Sequence, residues 1–586
     1  MKTKIKYFIS MILMVGAITA CSDESLEETN PNSVSADIYW SNLEESNSNL
    51  TSVYGAMYNH FIWGFDIEAW RSDLGFPKSR TNSYQKGLPW YEKRFSNSII
   101  DVSRKWEALY QVIFRANQVI QGLEGMDAEF KSDERWTIQM AEARFFRGLA
   151  HFYLHSTYNN GKIILRDKIP ADPSEFSTGL TDADVVQDFF RVDLEYAYQN
   201  LPAQQVQKTR ANAGLAALLL GKTYLYTEEY TKAMVYLNDV INNSAYGYRL
   251  LEGDEVSLLF TSAGDFNAES IFEINNSDQH QLEDNTWDEE SFFTRWPRFS
   301  APAGQPIQGT AYFVPSSWLT HAYSKEVLDS NDTRNYVDDG SGGTKLRNVP
   351  LRAAQMIAVV NDETSEYYQA PAANSLIGFG GTIFSFFKKF TNHDIVSSEG
   401  DIAQTPWKSG KNVVVYRLAD AYLMQAECLI ETGDLAGAIE HINKIRQRWG
   451  VESLGVSDGS NHDFDGVVYT QETLREHLRH VEKPLELSLE GHFERTIDLR
   501  RWGVAKQRFQ DLAAMDFYLD NYTPTGVDVP NRNKSLITEG MSPTAPTDPT
   551  VQLKEFETAA SEYNTALHDY LPLPLTEVLY NQEVNN

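Results

Sequence analysis

Flat aromatic side chains interleaved with carboxylate, amide and guanidinium groups carry whatever chemistry this chain performs. Between residues 60 and 98, Trp63, Trp70, Tyr84, Trp90 and Tyr91 stand beside Asp66, Arg71, Asp73 and Asn82, with Gly64, Gly75, Pro77, Gly87 and Pro89 among them. A second set, Trp287, Trp296, Phe299, Tyr312 and Trp318, has Asp284, Asn285 and Arg298 near it. Aromatic faces of this kind stack on the apolar C–H faces of a sugar ring, while the polar groups bond its hydroxyls. Tryptophan is highly buried on average, so each ring has a competing reading as core. Loop position with Gly and Pro neighbours brings the ligand reading of Trp70, Trp90, Trp287 and Trp296 level with the core reading. The expected ligand contacts are therefore Trp70, Asp73, Tyr84, Trp90, Trp287 and Trp296.

Other chemistries are weaker in the sequence. No Ser or Cys nucleophile motif, Gly-rich phosphate loop or zinc signature occurs. The many acidic residues permit a glycosidase pair anywhere and indicate one nowhere, because a carboxylate separation of about 5–9 Å cannot be read from sequence. Asn461, Asp463, Asp465, Gly466 and Glu472 match the spacing of a calcium loop. Position 1 is Asn rather than Asp, however, and Thr470 with Glu472 is equally a helix N-terminus, the preferred reading. His477 and His480 stand at i, i+3 with no evident third ligand and read as a solvated helix face. No cofactor is expected, and no catalytic residue.

The elements that must hold these loops are helices. Leu215, Leu218 and Leu219 form one apolar face, and Tyr230, Ala233, Leu237, Val240 and Ile241 form the next. Leu220-Gly221, Tyr224, Ala233 and Leu237 fall at the offsets of a tetratricopeptide repeat of about 34 residues. A second copy spans 416–448, with Tyr422, Ala426, Ala438, Ile442 and Ile445 in corresponding places and Gly433-Asp434 at its turn. Two matches favour repeat-like packing over an ordinary helical hairpin. Further helices are expected from Leu43, over 106–123, 136–158, 182–200 and 473–488. Between 250 and 412 the helical period fails, so that stretch is expected to carry function or small sheets of its own. Residues 523–550, rich in Pro and Thr, read as a surface loop. The expected fold class is mainly α: a tetratricopeptide-like scaffold of helical pairs with long irregular loops and small β elements.

The N-terminus declares an address. Lys2, Lys4 and Lys6 precede an apolar run ending at Ala20, a secretory leader too short to span a bilayer. Cys21 follows at once, which makes the site resemble a bacterial lipobox whose Cys21 thiol is acylated. Ser22-Asp23-Glu24 and Glu27-Glu28 resemble the surface-export signal of Bacteroidetes lipoproteins. The membrane would be reached through the lipid anchor alone. The expected organisation is a leader over 1–20, a tether over 21–36, and helical parts over 37–250 and 251–586 that form one unit. Removing residues 1–20, which hold three Lys and no acid, takes the formal charge from −30 to −33. That balance argues against nucleic acid as a partner. Cys428, the other of two cysteines, reads as a small core residue. Within 60–98 the sign reverses locally, with Arg71, Lys78, Arg80, Lys86, Lys93 and Arg94. That reversal suits a solvated loop or an acidic docking partner better than an acidic sugar, and a neutral or weakly acidic glycan is expected.

Several stretches resemble the SusD/RagB family of Bacteroidetes surface lipoproteins. They are Ile38-Tyr39-Trp40 with Leu50–Tyr54, Trp106–Tyr110 with Arg115-Ala116-Asn117, Ala141–Leu149, Val415–Glu427, Ile442–Arg446, Glu490–Phe493, Asp498–Gly503 and Leu571–Pro574. Tyr158-Asn159-Asn160-Gly161 stands where the family has a Tyr-Gly-Asp type loop, and Glu482-Lys483 where it usually has Glu-Arg. The motifs are packing signatures, silent on ligand. The resemblance implies four repeat-like helix pairs and a glycan site on loops facing a SusC-like TonB-dependent transporter. It also implies a non-catalytic protein on the extracellular face of the outer membrane that captures oligosaccharide and delivers it to that transporter. Peptide capture, or less readily surface glycoside hydrolysis, are the alternatives.

Overall fold

The computed structural model of the chain describes residues 40–78, 86–279, 292–362, 364–371, 383–402, 407–522 and 534–585. The leader, the tether, Cys21, Tyr84 and Trp287 lie outside these residues. Helix α1 (Leu43–Ala56) starts at Asn42, whose side chain accepts the Glu45 amide. Helix α2 (Phe65–Arg71) and strand β1 (Gly75–Pro77) follow where glycine and proline interrupt the helical period. Then come α3 (Ile100–Gly125), α4 (Glu134–Thr157), α5 (Ala183–Asn200), α6 (Ala213–Tyr226) and α7 (Tyr230–Asn242). The middle of the chain carries β2 (Ser270–Ile274), α8 (Trp296–Ser300) and β3 (Phe313–Pro315). Strand β4 (Val413–Arg417) leads into α9 (Leu418–Thr432) and α10 (Leu435–Arg448).

These helices stack in series: α3 on α4, α4 on α5, α5 on α6, α6 on α7, and α9 on α10. Helix α7 packs directly on α9, although residues 243–417 lie between them in the chain. The scaffold is thus continuous across the gap, and the middle region is a long excursion from it. Close approach explains the small residues of the repeats. A Cβ on Gly221 of α6 would come within 2.8 Å of the Leu237 side chain on α7. Gly433, at φ 89°, ends α9, and Asp434 caps α10 by accepting the Gly437 amide.

The excursion returns in two-stranded sheets: β1 pairs with β3, β2 with β4, 336–338 with 344–346, and 357–359 with 385–387, all antiparallel. Two expectations need correction. The helix expected over 473–488 is broken by a π turn over Leu478–Glu482, where the Lys483 amide reaches back five residues to the Leu478 carbonyl. Pro484 follows and has no amide to continue the α ladder. The surface loop expected over 523–550 contains a strand, because Lys534–Glu539 pairs in register with Phe517–Tyr522. Ser535, Leu536, Ile537 and Thr538 supply the apolar and β-branched character that pairing needs.

Charged residues weld the second half together. Arg417, at the end of β4, bonds Glu269, Glu486 and Glu490, and Arg448 bonds Glu269 and Glu486, all of them buried. A second cluster joins Arg501, Glu427, Asp498 and Lys483. The Lys483 ammonium lies 2.6 Å from Asp498. Cys428 is buried in α9, where burial pushes its thiol up to about 12. Among the described residues no helix is long and apolar enough to cross a membrane.

Candidate functional site

Of the sequence-predicted contacts within the described residues, none is open to solvent. Trp70 on α2 is fully buried, and its indole N–H donates to the Tyr312 carbonyl at 3.2 Å. Trp90 is fully buried and stacks on Phe95, ring centroids 4.7 Å apart. Trp296, at the start of α8, is buried against Phe65, Phe299 and Phe313. A ring without exposed surface presents no platform, so these three are corrected to core. Asp73 is also inside. Its carboxylate takes 2.8 Å bonds from Arg495 and Arg508. Burial alone would raise its pKa, but the two guanidiniums hold it well below the usual carboxylate range.

Two basic residues of 60–98, Arg71 and Lys93, turn inward with them. Arg71 donates to the carbonyls of His568 and Asp569, and the Lys93 ammonium to the Arg71 carbonyl. Lys86 lies 3.6 Å from both Asp66 and Asp101. The local reversal of charge is thus partly internal pairing, while Lys86 and Arg94 are exposed and Lys78 is half-buried. Arg80 lies outside the described residues.

The calcium-like loop spends its carboxylates on neighbours. Asp463 accepts from the Ser330 amide and the Asn331 side chain, and Asp465 from the Gly455 and Val467 amides and the Tyr469 hydroxyl. Asn461 and Glu472 are exposed, and Thr470 forms a capping box with Thr473. His477 and His480 face different carboxylates, Glu482 and Glu476. Among the described residues no group of three or more His, Cys, Asp or Glu could hold a metal ion.

A different set of residues forms an open surface. Trp407 is the one tryptophan among the described residues that is exposed, at 39%. Its backbone lies at φ 67°, a left-handed conformation that costs a bulky residue roughly 1–3 kcal/mol. The surrounding bonds impose it. The Trp407 amide donates to the Glu399 carbonyl, and Ser409 exchanges amide–carbonyl bonds of 2.8 and 2.9 Å with Thr294. The Ser409 hydroxyl also bonds Asn392 at 2.7 Å. That bridge sets residues 407–410 against residues 293–298.

Arg298 then lies over the Trp407 indole, its guanidinium carbon 4.5 Å from the ring centroid. Beside it the Lys408 ammonium is 4.4 Å, and the Arg295 guanidinium 5.5 Å, from the Phe293 centroid. The other end of the row is a rigid loop. Thr310 and Tyr312 amides bond the Arg298 and Phe299 carbonyls, and Phe299 stacks on Tyr312 with centroids 4.9 Å apart. Lys78 lies 5.9 Å from the Tyr312 ring. The buried tryptophans support this row from beneath: Trp70 through the Tyr312 carbonyl, Trp296 edge-on to Phe299.

The surface therefore offers one exposed indole, three half-buried rings (Phe293, Phe299 and Tyr312) and four cations. Arg298, Phe299 and Tyr312 were within the sequence-predicted second set; Trp407 and Lys408 were missed. Trp407 stands between Pro406 and Gly410, the same Gly and Pro context that singled out the other tryptophans. That signal was present and went unused.

The comparisons agree with this architecture. The sequence model of the SusD family matches residues 268–586, and a second, described as starch-binding and associating with the outer membrane, matches residues 26–225. SusD-like protein P25 of Formosa agariphila is 23% identical over 533 residues, covering 87% of this chain and 92% of its own. A SusD-like protein of Bacteroides ovatus is 28% identical over 264 residues, 42% and 45% of the two chains. A solved SusD superfamily protein from Bacteroides vulgatus superposes with a TM-score of 0.68 at 22% identity, covering 93% of this chain and 98% of its own. A laminarin-binding SusD-like protein superposes at 0.62 and 21% identity, with 93% and 98% covered. Scaffold and matches define the class, the SusD-like carbohydrate-binding proteins associated with the outer membrane. The chain belongs to the SusD family.

Proposed function

We propose that this protein is a non-catalytic lipoprotein of the cell surface that captures oligosaccharide and passes it to a TonB-dependent transporter. The observation that carries the reading is Trp407, an exposed indole held in a strained loop with Arg298 across it. Strain of this kind is concentrated at ligand sites, and an exposed ring beside polar donors suits a sugar. Family membership and the laminarin-binding neighbour support a glycan as the ligand class. The lipobox-like Cys21 supports anchorage by acyl chains, which hold a protein stably only when more than one is present.

The test is calorimetric titration of the purified protein against a glycan panel, with Trp407→Ala as control. Binding of an oligosaccharide by the wild type and its loss in the variant is the expected result. Sugars released from the panel would instead reveal a hydrolase, and binding confined to peptides would reveal peptide capture. Radiolabelled palmitate is expected to enter the wild type and not Cys21→Ala, and the variant is expected to leave the membrane fraction. Equal retention of both proteins would remove the anchor.

A further inference from the structure

We propose that the Trp407 surface is built for an anionic saccharide: Arg298 and Lys408 receive a sulfate ester or a uronate carboxylate on a sugar stacked beside Trp407. This deepens the reading of that surface as the glycan site and rests on it.

Unspent positive charge marks this surface. The chain carries 81 acidic and 51 basic residues, so a cation here has acids in plenty to pair with. Most do pair. Arg352, Arg417, Arg448 and Arg501 are each bonded to two or more carboxylates, and even the exposed Arg135 has Glu44 and Asp133. Arg298 and Lys408 are exceptions. Neither has an acidic partner within ion-pair distance among the described residues, and Arg298 Nε is buried without any hydrogen-bond partner. A buried donor left unmade is costly, on the order of 1–3 kcal/mol.

Among the described residues the nearby acids Glu399 and Asp401 have other partners. Glu399, whose carbonyl holds the Trp407 amide, is buried and accepts from the Tyr368 hydroxyl and the Asn392 amide group. Asp401 accepts from the Ser397 hydroxyl. The cations, meanwhile, crowd one another. Burial and then the charge of Arg298 lower the Arg295 pKa, and burial and then Arg295 lower that of Lys408. An anion received by Arg298 and Lys408 would supply the counter-charge that neither meets within ion-pair distance among the described residues.

Geometry selects the kind of anion. A guanidinium held over an indole offers, through its two Nη groups, paired N–H donors that suit a planar carboxylate or two oxygens of a sulfate. A neutral sugar hydroxyl would satisfy one donor and leave the charge uncompensated. Stacking beside Trp407 fixes the ring, and the cations read its substituent.

The experiment titrates the detergent-solubilised full chain with four probes: a carrageenan oligosaccharide, its chemically desulfated form, an oligogalacturonide and a laminari-oligosaccharide. At least one anionic probe is expected to bind about tenfold or more tightly than the neutral ones. Its affinity is expected to fall steeply between about 50 and 500 mM salt, as exposed charge contacts do. Arg298→Ala and Lys408→Ala should each remove most of that preference while melting like the wild type, and Arg298→Lys should restore part of it. Preference for carrageenan assigns sulfate as the recognised group, and preference for oligogalacturonide assigns carboxylate. Neutral and anionic probes bound alike, with salt-independent affinity that Trp407→Ala abolishes, would overturn the anion proposal and leave glycan capture standing. No binding of any probe, with Trp407→Ala indistinguishable from wild type, would overturn both.

Discussion

Residues 60–98 and residues 292–312 carry the same kinds of side chain, tryptophan and tyrosine rings among glycine, proline and scattered charge. Among the described residues the first region is mostly core, and the second is partly buried with a half-buried outer row and an exposed tip over 303–306. The difference lies in what reaches each of them. Glu68 is met by Thr496, Asp73 by Arg495 and Arg508, and Arg71 by the carbonyls of His568 and Asp569. Every one of those partners lies more than 400 residues along the chain. The C-terminal segments close over α2 and β1 and convert an aromatic loop into an interior. Residues 292–312 bond one another, the 407–410 loop and Ser398-Glu399, and they pack on Phe65 and Trp70, which leaves Arg298, Phe299 and Tyr312 half-buried. An aromatic, charge-bearing loop is thus two different objects depending on whether a distant segment supplies counter-charges for it.

The comparison breaks most sharply at Asp73. Asp73→Ala leaves two buried guanidiniums without their carboxylate, and a buried pair broken from one side costs about 3–5 kcal/mol. A large fall in Tm and in soluble yield is expected. Because the folded carboxylate is held below its unfolded pKa, its contribution is present above about pH 4 and lost as pH falls further. If Asp73→Ala melted like the wild type, the region would be a ligand loop after all.

Nearly as large is the expected effect of Trp70→Ala and Trp90→Ala, about 3–5 kcal/mol each for emptying a packed core site. Folded fractions of either variant should bind glycan, Trp90→Ala at wild-type affinity and Trp70→Ala more weakly, since Trp70 supports Tyr312. Unchanged melting with abolished binding would return both rings to the surface.

The opposite pattern is expected on the other side. Trp407→Ala removes an exposed ring and keeps a Cβ on the left-handed backbone, so Tm should change little. Glycan affinity should fall about tenfold or more, roughly 1.4 kcal/mol or greater. A destabilised Trp407→Ala with intact binding would reverse the assignment of the two regions.

Much of the scaffold was legible because helix period, caps and close approaches are local. The pairs around Gly221 and Gly433-Asp434 follow from residues within one repeat. The direct packing of α7 on α9 was not legible, since it is fixed by apolar faces separated by the whole middle region. The site was legible as a chemistry and not as an address. Sequence showed which rings and charges occur together, but whether Arg71 meets solvent or the His568 carbonyl is decided by segments that only folding brings near. Trp407 was hidden for a plainer reason: it stands alone in its loop, and its companions Arg298 and Phe299 arrive from more than 100 residues away.

The smallest expected effect lies on the seam between the two regions. His60 packs beside Phe61 and edge-on to Trp296, with centroids 4.1 and 6.2 Å away. Burial lowers its pKa to about 4, helped by Lys86 from the first region and Arg295 from the second. The imidazole is neutral in the folded state and binds a proton more readily when unfolded. Its share of stability is therefore complete above about pH 6.5 and is lost as pH falls toward 4. His151 and His155, also lowered to about 4, add to the same acid sensitivity, so the wild-type slope alone does not isolate His60. The difference between wild type and His60→Gln does. Between pH 7 and pH 5 the wild type should lose about 1 kcal/mol more than the variant, after allowance for the ring's partial exposure. Denaturant midpoints measured at several pH values give that difference directly. Parallel curves would mean that His60 takes up its proton without disturbing the fold, and that the seam is open to water where the two regions meet.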